Sequence, residues 1–115
     1  MTKRWTLALL VIGGCASAAE REARRSVLLT VENRAGAGLY FFQHAPCGSD
    51  DWTDVIASDE FLPDGEDLST GNLEPGCYDL YVEDEFACSA ENTSGEREEG
   101  TAFIWTVEET DLVCD

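Results

Sequence analysis

The chain has 115 residues, 43% of them hydrophobic, with 24 Asp and Glu against seven Lys and Arg, a formal charge of −17. That length holds one domain at most, since single domains usually run to about 100–150 residues. The charge argues against nucleic acid and anionic membrane surfaces as direct partners, because binding phosphates needs clustered Lys or Arg, and the aromatic and apolar content argues against a fully disordered chain.

Lys3 and Arg4 open the chain, residues 5–12 (WTLALLVI) form an apolar run, and Gly13, Gly14, Cys15, Ala16, Ser17 and Ala18 are all small. That is the order of a secretory signal, so residues 1–18 read as a targeting segment. The run is too short for a spanning helix, which needs about 20 residues. Two processing sites compete. Ile12-Gly13-Gly14-Cys15 resembles the bacterial lipobox: an aliphatic residue, two small residues and a Cys. Processing there acylates the Cys15 thiol and makes it the first residue, a firm anchor at about 0.8 kcal/mol per buried CH₂. Ala16-Ser17-Ala18 is an A-x-A site for ordinary signal peptidase. Cys15 directly ends the apolar run, which favours lipidation, and Ala16 in place of Asp points to the outer membrane. Cleavage after Ala18 leaves a periplasmic or secreted protein instead.

With Cys15 lipidated or removed, Cys47, Cys77, Cys88 and Cys114 remain, an even set that reads as two disulfides in a small exported domain. There is no C-x-x-C, so neither a thioredoxin-like redox site nor a zinc knuckle is expected, and no cofactor. Residues 19–26 form a linker. Within it, residues 20–25 (EREARR) hold three basic groups, while from Ser26 onward only Arg34 and Arg97 stand against 22 acids. The basic stretch either lies against anionic headgroups, gaining about 1 kcal/mol per Arg, or is a solvated tether.

Residues 27–115 are the folded domain. Val27, Leu29 and Val31 alternate with Leu28, Thr30 and Glu32, a strand with one apolar face. Asn33-Arg34-Ala35-Gly36 is a turn signal. Residues 38–44 (GLYFFQH) form the next strand, so 27–44 reads as a hairpin, with Leu39 and Phe41 on one face and Tyr40, Phe42 and His44 on the other. Trp52, Val55 and Ile56 follow at helical spacing, with Ser49, Asp50 or Asp51 as cap, and predict a single turn that drops Trp52 over the core. Residues 59–62 and 67–73 are weak strands, separated by the turn Pro63-Asp64-Gly65. After Glu74-Pro75-Gly76, residues 77–83 alternate, Cys77, Asp79, Tyr81 and Glu83 against Tyr78, Leu80 and Val82. Residues 89–100 (SAENTSGEREEG) read as a polar loop, residues 101–107 as the last strong strand, and 110–114 as a short edge piece.

Six to seven short strands with turn signals between them predict an all-β fold, a small antiparallel β-sandwich of immunoglobulin-like size. Its expected core is Val27, Leu29, Val31, Phe41, Trp52, Leu80, Val82, Ile104 and Trp105. Cys77 and Cys88 lie 11 residues apart. An extended segment of that length puts its ends about 36 Å apart at ~3.3 Å per residue, so these two do not bond unless the chain turns back. Pairing 78–83 antiparallel with 102–107 sets Cys88 opposite the start of the last strand. The expected bonds are therefore Cys47–Cys77 and, by elimination, Cys88–Cys114 with the tail folded back.

The stretch from Val31 to Val107 resembles a group of small predicted lipoproteins of myxobacterial type. The shared features are V-E-N at 31–33, L-Y-F-F at 39–42, Asp51-Trp52 with Val55-Ile56, and L-E-P-G-C-Y-D-L at 73–80. Where relatives have Trp-Gly, this chain has Trp52-Thr53. The resemblance implies a β-sandwich and brings no established activity.

His44 and Cys47 make an H-x-x-C pair, the pattern of a nucleophile with its base or of two metal ligands. A cysteine held in a disulfide is no nucleophile, and no third orienting residue is recognisable, so His44 is expected at a surface or strand end. Ser49, Ser58 and Ser69 stand in no G-x-S-x-G context. Three acidic clusters remain: Asp50, Asp51 and Asp54; Asp64, Glu66 and Asp67; Glu83, Asp84 and Glu85. Calcium takes six to eight oxygens from such loops, but EF-hand spacing is absent, and solvated acidic loops are the expectation. Asn92-Thr93-Ser94 is a formal glycosylation sequon without meaning in a bacterial lipoprotein. The function expected is that of a non-catalytic, lipid-anchored, acidic envelope protein that binds or spaces an envelope or extracellular protein partner. A small exported enzyme or inhibitor, or a Ca²⁺-dependent binding domain, is the alternative.

Overall fold

The alternation that starts at Val27 forms β1, Leu28–Arg34, in a computed structural model that describes residues 25–115. The targeting segment, Cys15 and residues 19–24 of the linker lie outside the described residues. Six more strands follow: β2 (Leu39–Pro46), β3 (Thr53–Asp54), β4 (Asp67–Ser69), β5 (Gly76–Asp84), β6 (Ser89–Arg97) and β7 (Ala102–Glu108). They form a three-stranded sheet in the order β4-β1-β7 and a four-stranded sheet in the order β3-β2-β5-β6. The sheets share one apolar core, with Leu29, Val31 and Val107 from the first and Phe42, Leu80 and Val82 from the second. Each of these side chains contributes about 1.5–3 kcal/mol on full burial. The fold is the all-β sandwich read from the sequence. One pair departs from the antiparallel pattern: β1 and β7 run parallel, from Leu28 opposite Ala102 to Arg34 opposite Glu108. A parallel pair needs a long crossover, and here the whole four-stranded sheet lies between its two strands in the chain.

Residues 27–44 are not a hairpin. β1 pairs with β4 and β7, and β2 with β3 and β5, so the chain changes sheets between them. Asn33 makes the corner. Its side chain is fully buried. Its Nδ2 donates to the carbonyls of Ala37 (2.8 Å) and Leu62 (2.9 Å), and its Oδ1 accepts from the Ala35 amide (3.0 Å). Gly36 takes φ +82° in the same turn, a conformation that a β-carbon resists. These bonds satisfy the backbone where it leaves one sheet, and a two-residue hairpin turn would not.

In β2 the pairing slips between Leu39 and Phe41. A bulge puts two residues against one and reverses the alternation beyond it. Leu39 and Phe42 are therefore both in the core, while Tyr40 and Phe41 both face out. Phe41 was expected inside, and Phe42 takes that place. The expected turn of helix at Trp52 is instead β3 and the bends after it. The Val55 amide donates to the Phe42 carbonyl (2.8 Å) and Gln43 to Asp54 Oδ1 (2.7 Å), so pairing with β2 takes the groups a helical turn would use. Trp52 lies outside the core in consequence, whereas Ile56 is buried. Ile104 also faces out, 59% exposed, because Phe103, Trp105 and Val107 are the inward row of β7.

Residues 89–97, read as loop, are β6. Its backbone ladder with β5, from Glu83 opposite Ser89 to Gly76 opposite Arg97, makes a strand of a polar sequence. As a sheet edge it buries only Ala90 and Ser94, and Ser94 Oγ accepts the Tyr78 amide (3.0 Å) where the ladder slips. This pairing also excludes the expected contact of 78–83 with 102–107. Of the weak segment 59–62, only Leu62 pairs, in a bridge to Leu39. The chain ends in a 3₁₀ turn, Glu109–Asp111, and a bridge from Val113 to Ser89. That bridge brings the tail back to β6 and sets Cys114 beside Cys88. The disulfides are Cys47–Cys77 and Cys88–Cys114, with Cα atoms 5.3 and 4.1 Å apart.

Candidate functional site

The four-stranded sheet has one face on the core and one in solvent. Leu80 and Val82 point inward from β5, so Asp79, Tyr81 and Glu83 point outward. Residues directly opposite on antiparallel strands share a face. Phe41 thus stands beside Glu83, and Gln43 beside Tyr81, with Glu91 across from Tyr81 and Asp54 across from Gln43. Trp52 joins the face at its β3 edge, its ring edge-on to Tyr81 at 6.3 Å. Phe41 is 46% exposed and Trp52 38%. At the end of the face Tyr40 stacks on Phe61, with centroids 5.2 Å apart.

The polar groups of this face are held in place. Tyr81 donates its hydroxyl hydrogen to Glu83 Oε1. Burial, that hydrogen bond and the Glu83 charge all raise the Tyr81 pKa, so the phenol stays protonated and remains a donor. Asp54 accepts from Gln43. Tyr40 and Phe41 separate two shallow depressions, of about 400 and 220 Å³. The larger reaches Glu83 and Glu85, the smaller Asp54 and Ser58. The arrangement can stack flat or cationic groups on rings and offer carboxylate oxygens beside them.

The residues singled out in the sequence are distributed differently. Cys47 and Cys77 are bonded to each other, with Thr93 Oγ1 3.6 and 3.7 Å from their sulfurs. His44 is not at the surface. It is 8% exposed on the core face of β2, edge-on to Tyr78 at 5.9 Å, and its buried Nδ1 has no hydrogen-bond partner among the described residues. It therefore does not meet a reactive Cys47. The acidic clusters are used locally. Asp84 is buried and accepts the amides of Phe86 (2.8 Å) and Cys88 (2.9 Å), closing the turn between β5 and β6. Asp64 accepts the Gly36 amide (2.8 Å), and Asp67 pairs with Arg34 at 3.6 Å. Among the described residues no three His, Cys, Asp or Glu side chains converge as a metal site. The depression at the L-E-P-G turn, about 550 Å³, offers only Glu74 and Tyr78 as polar side chains of acid–base type. Tyr78 donates to the Glu74 carbonyl, and burial, followed by the Glu74 charge, raises its pKa.

Burial lowers the pKa of His44 from its ordinary 6.5, so the ring is neutral in the folded protein. Above pH 6.5 folded and unfolded chains are both neutral at this residue. Below it the unfolded chain takes up the proton first, so stability is lost as pH falls, until the folded pKa is passed. His44→Phe keeps an aromatic ring at the site and removes the titration. Urea unfolding between about pH 7 and 5.5 is expected to show wild type losing stability relative to this variant. A constant difference between the two across that range refutes the buried neutral His.

The exposed aromatic row was the part that sequence reasoning missed, since Phe41 and Trp52 were placed in the core. The available signal was Tyr40-Phe41-Phe42: three consecutive rings exceed what one alternating face can bury. The outward position of Tyr81 did follow from the alternation of residues 77–83. Among the described residues no helix is long and apolar enough to cross a membrane. Two disulfides in a small β protein are compatible with a stabilised envelope or secreted module, since such bonds persist in oxidising compartments. No family model matches the chain, and no curated protein matches it either.

Proposed function

We propose that the chain is a non-catalytic, lipid-anchored binding module of the bacterial envelope. Cys15 carries the acyl chains, the linker of residues 19–26 tethers the domain, and the outer face of the four-stranded sheet meets the partner. The observation that carries the binding reading is that face: solvent-exposed rings of Phe41 and Trp52 among Asp54, Glu83 and Glu91. Large apolar side chains grouped in the open on one surface mark contact sites. The anchor rests on Ile12-Gly13-Gly14-Cys15, and export on the even set of bonded cysteines. The small-lipoprotein resemblance of residues 31–107 supports the same reading. Outer-membrane placement rests on Ala16 after the lipobox Cys.

Labelled palmitate is expected to enter the protein in intact cells and to be absent from Cys15→Ser. A mature N-terminus at Ala19 would overturn the anchor and make the protein a periplasmic or secreted one.

A further inference from the structure

The aromatic face has carboxylates and lacks the arginines that this domain holds in its strands. Arg34 pairs with Asp67 at the end of β1, and Arg97, at the end of β6, lies over the Phe103 ring of β7 at 5.1 Å. Asp54 gives one oxygen to Gln43, and Glu83 gives one to Tyr81, so each carboxylate is oriented with a second oxygen left for another donor. The depressions flanking Tyr40 and Phe41 each pair a ring with one of these acids. A cationic side chain entering either one meets a π-face and a carboxylate together, and both attract it.

Charge complementarity selects the occupant. From Ser26 onward two Arg face 22 acids. A second copy of the chain would bring the same excess and be repelled, as would phosphates and anionic lipid surfaces. A neutral glycan would use the rings and leave the charge idle. A basic polypeptide uses both.

We propose that the outer face of the four-stranded sheet docks a lysine- or arginine-rich segment of a partner protein, with Phe41 and Trp52 as ring contacts and Asp54 and Glu83 as ion-pair partners. The inference rests on the binding-module reading and adds the chemistry of the partner.

The test is binding of a dye-labelled peptide of alternating Lys, Arg and Ser to the full-length lipoprotein in non-ionic detergent, read by anisotropy. A poly-Glu peptide and a neutral glucose oligomer serve as comparison ligands. Binding is expected for the basic peptide alone, weakening as salt rises. Phe41→Ala and Trp52→Ala are each expected to weaken it about five- to tenfold with no change of charge. Phe41→Leu keeps the apolar bulk, folds by the same contacts and is expected to lose most of the same affinity. Asp54→Asn with Glu83→Gln is expected to weaken binding at least as much, and Glu98→Gln with Glu99→Gln, the same charge change far from the face, less than about twofold. Equal losses in the two charge variants, with the ring variants silent, mean diffuse attraction and overturn the docking site. Binding of the glucose oligomer that depends on Phe41, with the basic peptide silent, overturns the partner chemistry while the binding module stands. No binding of either ligand overturns the proposal and removes the support for the module as well.

Discussion

Loss of both disulfides is expected to unfold the domain under otherwise native conditions. The bonds Cys47–Cys77 and Cys88–Cys114 close segments with sequence separations of 30 and 26. Loops of that length restrict the unfolded chain by about 3.5 kcal/mol each. A domain of this size has a net stability of about 5–13 kcal/mol, so the pair supplies a large share of it. The self-repulsion of 22 acids against two Arg from Ser26 onward makes the remainder smaller still. The two bonds act at different places. Cys47–Cys77 joins strands already paired, with the Cys47 amide on the Cys77 carbonyl at 3.0 Å. Cys88–Cys114 ties the tail that follows β7 of one sheet to the start of β6 in the other. Urea unfolding with and without reductant checks this, together with Cys47→Ala/Cys77→Ala and Cys88→Ala/Cys114→Ala. A reduced protein that keeps a cooperative transition within about 1 kcal/mol of the oxidised one would contradict it.

Asn33→Ala is expected to cost about 3–5 kcal/mol, as much as truncating a large core side chain. Asn33 is fully buried and bonds the Ala37 and Leu62 carbonyls and the Ala35 amide; its loss strips the Ala37 carbonyl and the Ala35 amide of these bonds, while the Leu62 carbonyl keeps the Leu39 amide (3.0 Å). Each buried backbone group left without a partner costs about 1–3 kcal/mol. Asn33→Asp separates hydrogen bonding from volume. It is nearly isosteric and keeps the acceptor for Ala35, but it turns a carboxylate oxygen toward two carbonyls in a dry site. It is expected to be at least as damaging as Asn33→Ala near neutral pH. Urea midpoints of the two variants decide the matter: Asn33→Asp within about 1 kcal/mol of wild type would show that the corner is held by packing and not by these bonds.

Asn33 also shows where local reading stops. Its place after an alternating strand and before Ala35-Gly36 marks a turn correctly. The turn's partner is Leu62, in a segment 29 residues further on, and that contact sends the chain to the second sheet. Nothing in residues 27–44 alone distinguishes this corner from a hairpin. Trp52 is a similar case. Helical spacing of Trp52, Val55 and Ile56 is present, yet two residues of β2 take the intervening backbone as a strand. The polar stretch 89–97 has no hydrophobic alternation to read, because an edge strand needs only the ladder on one side.

The sequence by itself determined the class of fold, the strands β1, β2, β5 and β7, the inward rows of Leu29 and Val31 and of Leu80 and Val82, and, of the three possible cysteine pairings, the exclusion of the one that joins Cys77 to Cys88. These follow from period-two alternation and from the reach of an extended chain, both local properties. Cys47–Cys77 with Cys88–Cys114 is one of the two pairings that remain; the tertiary structure shows it, and the strand pairing assumed beside it does not occur. Tertiary structure decided which strands are neighbours, the parallel pairing of β1 with β7, the burial of His44 and the outward turn of Phe41 and Trp52. Alternation distinguishes two faces of a strand but not which face meets the core once a bulge intervenes, and the Leu39–Phe41 bulge exists only against β5. In the candidate binding face this slip leaves Phe41 in solvent and the pairing of β3 with β2 leaves Trp52 there, beside acids brought by strands distant in the chain.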